Sequence, residues 1–113
     1  MSIQRRIEQV KNQLSRMGDF RPGSVSQQYN VCGKKDCRCK DKKNPRKHGP
    51  YYILSYRFAG KNRTEYVNPQ YLRTVNKQIA NYADFQAIID TWVGLEIQRS
   101  RLEMARLSKT KRP

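Results

Sequence analysis

The chain has 113 residues, of which 36% are hydrophobic, and 24 Lys and Arg against 9 Asp and Glu give a formal net charge of +15. This size corresponds to one modest domain with a thin core, which a bound metal or a partner commonly stabilises. No apolar run approaches the roughly 20 residues of a membrane span, and the polar N-terminus shows no signal peptide. The charge excess favours a polyanionic partner, most commonly nucleic acid, and next an acidic protein or an anionic membrane surface.

The N-terminal segment, residues 1–20, carries apolar side chains spaced alternately four and three positions apart. They are Ile3, Ile7, Val10, Leu14 and Met17. This heptad-like spacing, which is typical of a coiled coil, predicts an amphipathic helix that stops near Gly18. A turn is predicted at 21–24, and a short strand at 25–31.

The middle of the chain concentrates both charge and potential metal ligands. Residues 31–63 hold 11 Lys and Arg against 2 Asp and Glu, a net of +9, together with all three cysteines and the one histidine. The ligands are spaced Cys32-x4-Cys37-x-Cys39-x8-His48. Zinc prefers four thiolate or imidazole ligands in a tetrahedral array, and closely spaced cysteines let one chain reversal supply two of them. We therefore predict a structural Zn²⁺ held by these four residues.

Neighbouring residues support that interpretation. Lysines and arginines beside the cysteines lower the thiol pKa and offset the negative charge of a Cys3His site. Gly33 is expected to let the chain fold back so that backbone N–H groups point at a sulfur. Two alternatives are three buried core thiols with a surface histidine, and a redox-active or catalytic thiol. The odd number of cysteines, two of them one residue apart, favours reduced thiols in the cytoplasm over a secreted disulfide framework.

Downstream of the ligands, residues 51–67 give the strongest strand signal and predict a β-hairpin that turns at 59–62. Asn68 and Pro69 form a helix start, and apolar residues then recur every three or four positions through Leu102. A long helix is therefore predicted over 69–107, followed by a basic tail at 108–113. The N-terminal helix and the hairpin cannot cover so long a helix, so its second half is expected to pair with another copy or another protein.

These elements predict an α+β fold. A zinc knuckle and a β-hairpin, with a third strand as an open alternative, occupy residues 21–68. The N-terminal helix at 1–20 and the long C-terminal helix flank this domain.

The motif CGK-x2-C-x-C followed by HGPYY, with Gly60-Lys61 in the hairpin, is similar to an uncharacterised family of small prokaryotic domains. The similarity covers roughly residues 20 to 85. It implies a cysteine/histidine knuckle, a GK hairpin, a helical tail and a link to mobile elements. The expected location is the cytoplasm of a prokaryote, with the nucleoid as one site of association.

The basic residues around the knuckle are candidates for nucleic-acid binding, because phosphates require cations and unpaired bases can stack on planar side chains. The predicted DNA or RNA contacts are Lys34, Lys35, Arg38, Lys40, Lys42, Lys43, Arg46, Lys47, Arg57, Lys61 and Arg63. Tyrosines in a small sheet are more often core than stacking residues. The candidates for stacking are Tyr51, Tyr52, Tyr56 and Tyr66.

Catalytic motifs do not emerge from the sequence. The one histidine is committed to zinc, Asp84 and Asp90 are not placed as a pair on a helix, and no phosphate-cradling glycine loop stands out. The expectation is a nucleic-acid-binding accessory protein that is not an enzyme. The alternative is an oligomeric assembly or adaptor subunit that docks on a larger protein, or on a second copy, through residues 69–107. Salt-dependent polyanion binding and a salt-resistant oligomer distinguish the two; neither involves a membrane.

Overall fold

The structure, a computed structural model, describes residues 2–110. In chain order the elements are α1 (Ile3–Ser15), β1 (Ser24–Asn30), a 3₁₀ turn (Arg38–Lys40), β2 (His48–Phe58), β3 (Lys61–Val67), a second 3₁₀ turn (Pro69–Tyr71) and α2 (Leu72–Thr110). The α+β fold class is confirmed, and the third strand is present. Among the described residues, no helix has the length and hydropathy required to cross a bilayer.

The chain divides into two compact units. The helical unit comprises Met1–Asp19 with Ala80–Pro113, and the sheet unit comprises Phe20–Ile79. In the helical unit, Ile7 and Val10 of α1 are buried together with Leu95 of α2. The apolar stripe of α1 therefore packs on α2 of the same chain and covers one side of its second half.

A capping side chain lies at the start of α1 and another at the start of the 3₁₀ turn that precedes α2. The Ser2 Oγ accepts a hydrogen bond from the Arg5 N–H at 3.2 Å at the start of α1. The predicted cap Asn68 accepts from the Gln70 N–H at 2.9 Å, but Pro69–Tyr71 forms a 3₁₀ turn before α2 begins. α2 continues past the predicted end at 107 to Thr110. Residues 111–113 of the predicted basic tail lie outside the described residues.

The sheet is antiparallel, with β2 between β1 and β3. Its two faces differ, because side chains alternate along each strand. On the core face, Leu54 of β2 is 1% exposed and packs with buried Val67 and Val75. The β2–β3 connection is the two-residue turn Ala59–Gly60, with φ of 53° and 78°. Positive φ at both turn residues matches the twist of the hairpin.

The other side of the sheet, which we call the open face, remains accessible. Its residues, identified by strand register, are Ser24, Ser26, Gln28, Tyr51, Ile53, Ser55, Arg57, Asn62, Thr64 and Tyr66. All of them are exposed except Ile53, which is half-buried. The sheet unit therefore has one packed face and one solvated face.

Candidate metal centre

The four predicted ligands meet where the connection between β1 and β2 begins and ends. Cys32 lies shortly after β1, and His48 is the first residue of β2. Antiparallel pairing of Asn30 with His48 brings the two ends of the connection together. Residues 31–47 therefore form a closed loop, which we call the basic loop, with one ligand near each end.

The 3₁₀ turn inside the basic loop places the other two predicted ligands near Cys32 and His48. Cys37 immediately precedes the turn, and Cys39 lies within it. The Lys40 N–H donates to the Cys37 carbonyl oxygen at 3.0 Å, which closes the turn around the two cysteines. The spacing of one residue between them thus lets a single chain reversal supply two ligands.

The ligand atoms form a compact group. One potential ligand atom from each of the four residues lies within 4.8 Å of the other three. The Sγ atoms of Cys32 and Cys39 are 3.6 Å apart, and Cys37 Sγ is 2.9 Å from His48 Nε2. A tetrahedral zinc ion with bonds of about 2.3 Å to sulfur and about 2.05 Å to nitrogen separates its ligands by about 3.6–3.8 Å. The distance between the Cys32 and Cys39 sulfurs matches these values, and the distance from Cys37 Sγ to His48 Nε2 is shorter. Because all four atoms lie within 4.8 Å of one another, the predicted cluster is confirmed as a group that could hold a metal ion.

Burial and a backbone hydrogen bond distinguish Cys39 from the other ligands. It is 3% exposed, whereas Cys32, Cys37 and His48 are half-buried. The Cys32 N–H lies 3.3 Å from the Cys39 Sγ and donates to it. A donor aimed at a sulfur favours the thiolate form that binds metal.

The thiols differ in acidity. The backbone N–H of Cys39, and then the side chain of Cys32, lower the pKa of the Cys37 thiol to about 6. Burial raises the pKa of the Cys39 thiol. Cys37 is therefore a thiolate near neutral pH, whereas a bound dication has to displace a proton from Cys39.

Two glycines adjoin the ligands, and the structure constrains only one of them. A Cβ on Gly33 would meet no atom within 4 Å, so the predicted need for glycine there has no steric basis. A Cβ on Gly49, where φ is 134°, would lie 2.7 Å from the Gln28 carbonyl oxygen. Gly49 thus permits the close approach of β1 and β2 beside His48. Ligand spacing gives no signal for this role, and only adjacency to His48 in the HGPYY motif points to it.

The structure disfavours one of the two alternatives to a metal site, a core role for the cysteines, and leaves the other, a redox or catalytic role, open. All three cysteines are free thiols. The core of the sheet unit is built around Leu54, Val67 and Val75, and only one of the cysteines is buried. These positions disfavour a core role for the thiols. A redox or catalytic role for the half-buried Cys32 and Cys37 stays an alternative hypothesis.

The eleven predicted nucleic-acid contacts are all exposed. Eight belong to the basic loop, namely Lys34, Lys35, Arg38, Lys40, Lys42, Lys43, Arg46 and Lys47. Within residues 2–110, none of the eleven forms a salt bridge with a carboxylate. Their charges are therefore available to an external anion.

The three basic residues of the hairpin do not share one side of the sheet. Arg57 belongs to the open face, whereas Lys61 and Arg63 pair with Phe58 and Tyr56 and lie on the core face. The alternation of side chains along a strand separates residues that are close in sequence. The basic loop is consequently the main concentration of positive charge.

The four candidate tyrosines divide in the same way. Tyr52 and Tyr56 pack against the core, and the Tyr56 hydroxyl donates to Glu65 at 2.7 Å, which raises the pKa of Tyr56. Tyr51 and Tyr66 lie on the open face and are 39% and 76% exposed. This second pair is therefore the more accessible for contact with a ligand.

Comparison with known proteins places the chain in a family. A family model described as Domain of unknown function (DUF6788) matches residues 2–77, so the chain belongs to that family. This agrees with the expected uncharacterised family of small domains, although the match begins at α1 and ends earlier in α2 than expected. No curated protein and no solved structure matches the chain.

Proposed function

We propose that this member of the family holds one structural zinc ion on Cys32, Cys37, Cys39 and His48, and binds nucleic acid through the basic loop that the ion orders. One observation carries the proposal. Three of the four potential ligands lie in the basic loop and the fourth, His48, directly follows it, and the same loop holds eight exposed cations without carboxylate partners. A metal there would fix the backbone on which those charges are mounted.

Zinc is favoured by the chemistry of the donors. Three sulfurs and one imidazole nitrogen are soft or borderline ligands, whereas magnesium and calcium prefer oxygen. Four protein ligands complete a tetrahedral shell and leave no coordination position for water or substrate. We therefore assign no catalytic step to the metal, and propose that the chain is not an enzyme.

Nucleic acid is favoured by the amount and position of the charge. Residues 31–63 have 11 basic and 2 acidic side chains, a net of +9. If six to eight phosphates are contacted, the slope of log K against log salt concentration is about −5 to −7 on duplex DNA. Affinity should therefore fall steeply as salt is raised. The link to mobile elements that the resemblance implies stays a prediction.

Binding of the zinc-loaded protein to labelled duplex DNA, single-stranded DNA and structured RNA, each over a salt series, tests the proposal. We expect tight binding with a steep salt dependence to at least one of the three. The double substitution Lys42→Ala with Lys43→Ala should reduce the slope by about 2, since each lost phosphate contact removes about one unit.

The matched control is Arg5→Ala with Arg6→Ala, which removes the same charge from exposed positions on α1. We expect it to leave the slope closer to that of the wild type. Weak binding to all three nucleic acids at physiological salt would contradict the proposed function. Equal slopes for the two double variants would move the binding surface away from the basic loop.

A second candidate function, self-association through α2, is favoured by exposed apolar side chains in the helical unit. Val93, Ile97 and Met104 are 50%, 49% and 61% exposed, and they line a groove of about 560 Å³. Contiguous exposed apolar surface of this kind is typical of interaction sites. Sedimentation at low and high salt tests it: a dimer that resists salt, and that Ile97→Glu dissociates, would support this function. A monomer under all conditions would exclude self-association.

A further inference from the structure

The open face of the sheet carries two accessible tyrosines beside the basic loop. Tyr66 and Tyr51 meet edge to face, with ring centroids 6.4 Å apart and planes inclined at 73°. Inclined rings do not bury each other as a stacked pair would, and Tyr66 remains 76% exposed. Flat ring surface is therefore presented to solvent at the end of the sheet that adjoins the ligands.

Small polar side chains lie on the same face as the two rings. Across the open face, Ser26, Ser55 and Thr64 are exposed and short. An exposed sheet face with short side chains and protruding aromatic rings can accept planar groups laid against it. The packed face cannot, because Leu54 and its neighbours hold it against the first turns of α2.

The aromatic pair is continuous with the charged loop. Tyr51 lines a groove of about 730 Å³ together with Tyr66, and it also lines a recess of about 370 Å³ together with Lys34 and the ligand His48. A single strand lying across Tyr66 and Tyr51 would therefore meet basic-loop cations at once. Arg57 offers a further cation on the same face.

We infer that the open face is a stacking platform for unpaired bases, with Tyr66 and Tyr51 as the stacking residues and the basic loop as the phosphate-binding element. This inference rests on the proposed nucleic-acid function and narrows it to single-stranded polynucleotides. Bases in a duplex are stacked on each other and do not present their faces to a side chain, whereas unpaired bases do. Charge complementarity with the basic loop favours a polynucleotide over a protein as the occupant.

Tyr66→Ala is the direct test. It should weaken binding to single-stranded oligonucleotides about 5- to 150-fold, the effect of losing one base–aromatic stack. Binding to duplex DNA and the salt slope should stay unchanged, because phosphate contacts are retained. Tyr66→Trp should preserve single-strand affinity, which separates stacking from a hydrogen bond of the hydroxyl. The matched control is Tyr71→Ala, which removes a tyrosine that is 53% exposed and lies outside the open face.

Abasic oligonucleotides complete the design, since they keep the phosphates and lack the bases. Wild type should bind an abasic strand more weakly than Tyr66→Ala binds the intact strand, because the abasic strand loses the stacks on both tyrosines. Tyr66→Ala retains only the stack on Tyr51, so it should lose less affinity than wild type does when the intact strand is replaced by the abasic one. DNA and RNA versions of each strand identify the preferred sugar. If wild type binds nucleic acid with a steep salt slope but Tyr66→Ala behaves like Tyr71→Ala, the stacking platform is wrong and the proposed function stands. If wild type binds none of these strands and no duplex, both are wrong.

Discussion

Replacing the buried predicted ligand Cys39 with serine tests how far the stability of the sheet unit depends on the proposed zinc ion. Cys39→Ser removes one of the four potential donor atoms, and the residue that carries it is 3% exposed. If free zinc is about 1,000 times its Kd, binding stabilises the folded state by about 4 kcal/mol. The buried core cluster of this unit, Leu54, Val67 and Val75, contributes about 5–9 kcal/mol before conformational entropy is subtracted. If the proposed zinc ion is bound, its loss therefore removes a large fraction of the free energy that stabilises the unit.

The expected result is a large drop in melting temperature. In a domain of 60–100 residues, 1 kcal/mol shifts Tm by about 4–8 °C, so about 4 kcal/mol corresponds to about 15–30 °C. Calorimetry measures the Tm of the purified variant, and metal analysis measures its zinc content. Amide hydrogen exchange in β1 and β2 shows whether the loss falls on the sheet unit, whose strands flank the basic loop.

A chelator separates lost metal from altered packing. Chelation should lower the Tm of wild type to about that of Cys39→Ser, and should lower the variant no further, because the two perturbations remove the same interaction. Lys40→Ser introduces the same side chain at an exposed neighbouring position and should keep its zinc. Equal zinc content in wild type and Cys39→Ser, or equal effects of the chelator on both, would refute the reasoning.

Three further predictions concern the sheet unit. Gly49→Ala should lower the free energy of unfolding of this unit by about 1–3 kcal/mol, measured in urea, and should reduce its zinc content. The control Gly33→Ala should change the free energy of unfolding by no more than about 0.5 kcal/mol. Equal effects of the two substitutions would contradict the role assigned to Gly49. Ala59→Asn should raise the free energy of unfolding by about 0.5–1 kcal/mol, since asparagine tolerates the positive φ of 53° better; an unchanged urea midpoint would count against it. Burial raises the pKa of the Cys39 thiol, so protons displace the metal as pH falls. The Tm of the zinc-loaded protein should therefore decrease from about pH 7 to about pH 5 more than that of the chelated protein, and parallel curves would exclude this linkage.

Local chemistry made the elements and the ligand group predictable. The spacing of Ile7 and Val10 marks a helix face whatever that face packs against. Cys37 and Cys39 can share one metal because a single tight turn brings them together. Asn68 and Pro69 predict the start of a helical segment because capping depends on adjacent residues alone. Each of these features is decided within a few residues.

Features that depend on register could not be read in this way. The tyrosines of β2 and β3 alternate between a packed and an open face, and the choice depends on how the strands pair. The steric requirement at Gly49 arises from the carbonyl of Gln28, which is distant in sequence. The partner of α1 is likewise set by packing: α2 of the same chain covers that stripe, and residues such as Ile97 stay exposed.

The position of the potential ligands within and at the end of the basic loop has a thermodynamic consequence. If nucleic acid prefers the loop in its metal-bound form by some factor, then metal must bind the nucleic-acid complex more tightly by the same factor, because linkage is reciprocal. A polynucleotide would then raise the chelator concentration that is needed to remove the zinc, and zinc-poor conditions would weaken polynucleotide binding. The loop that joins β1 to β2 would in this way couple the availability of a metal to the retention of a polyanion.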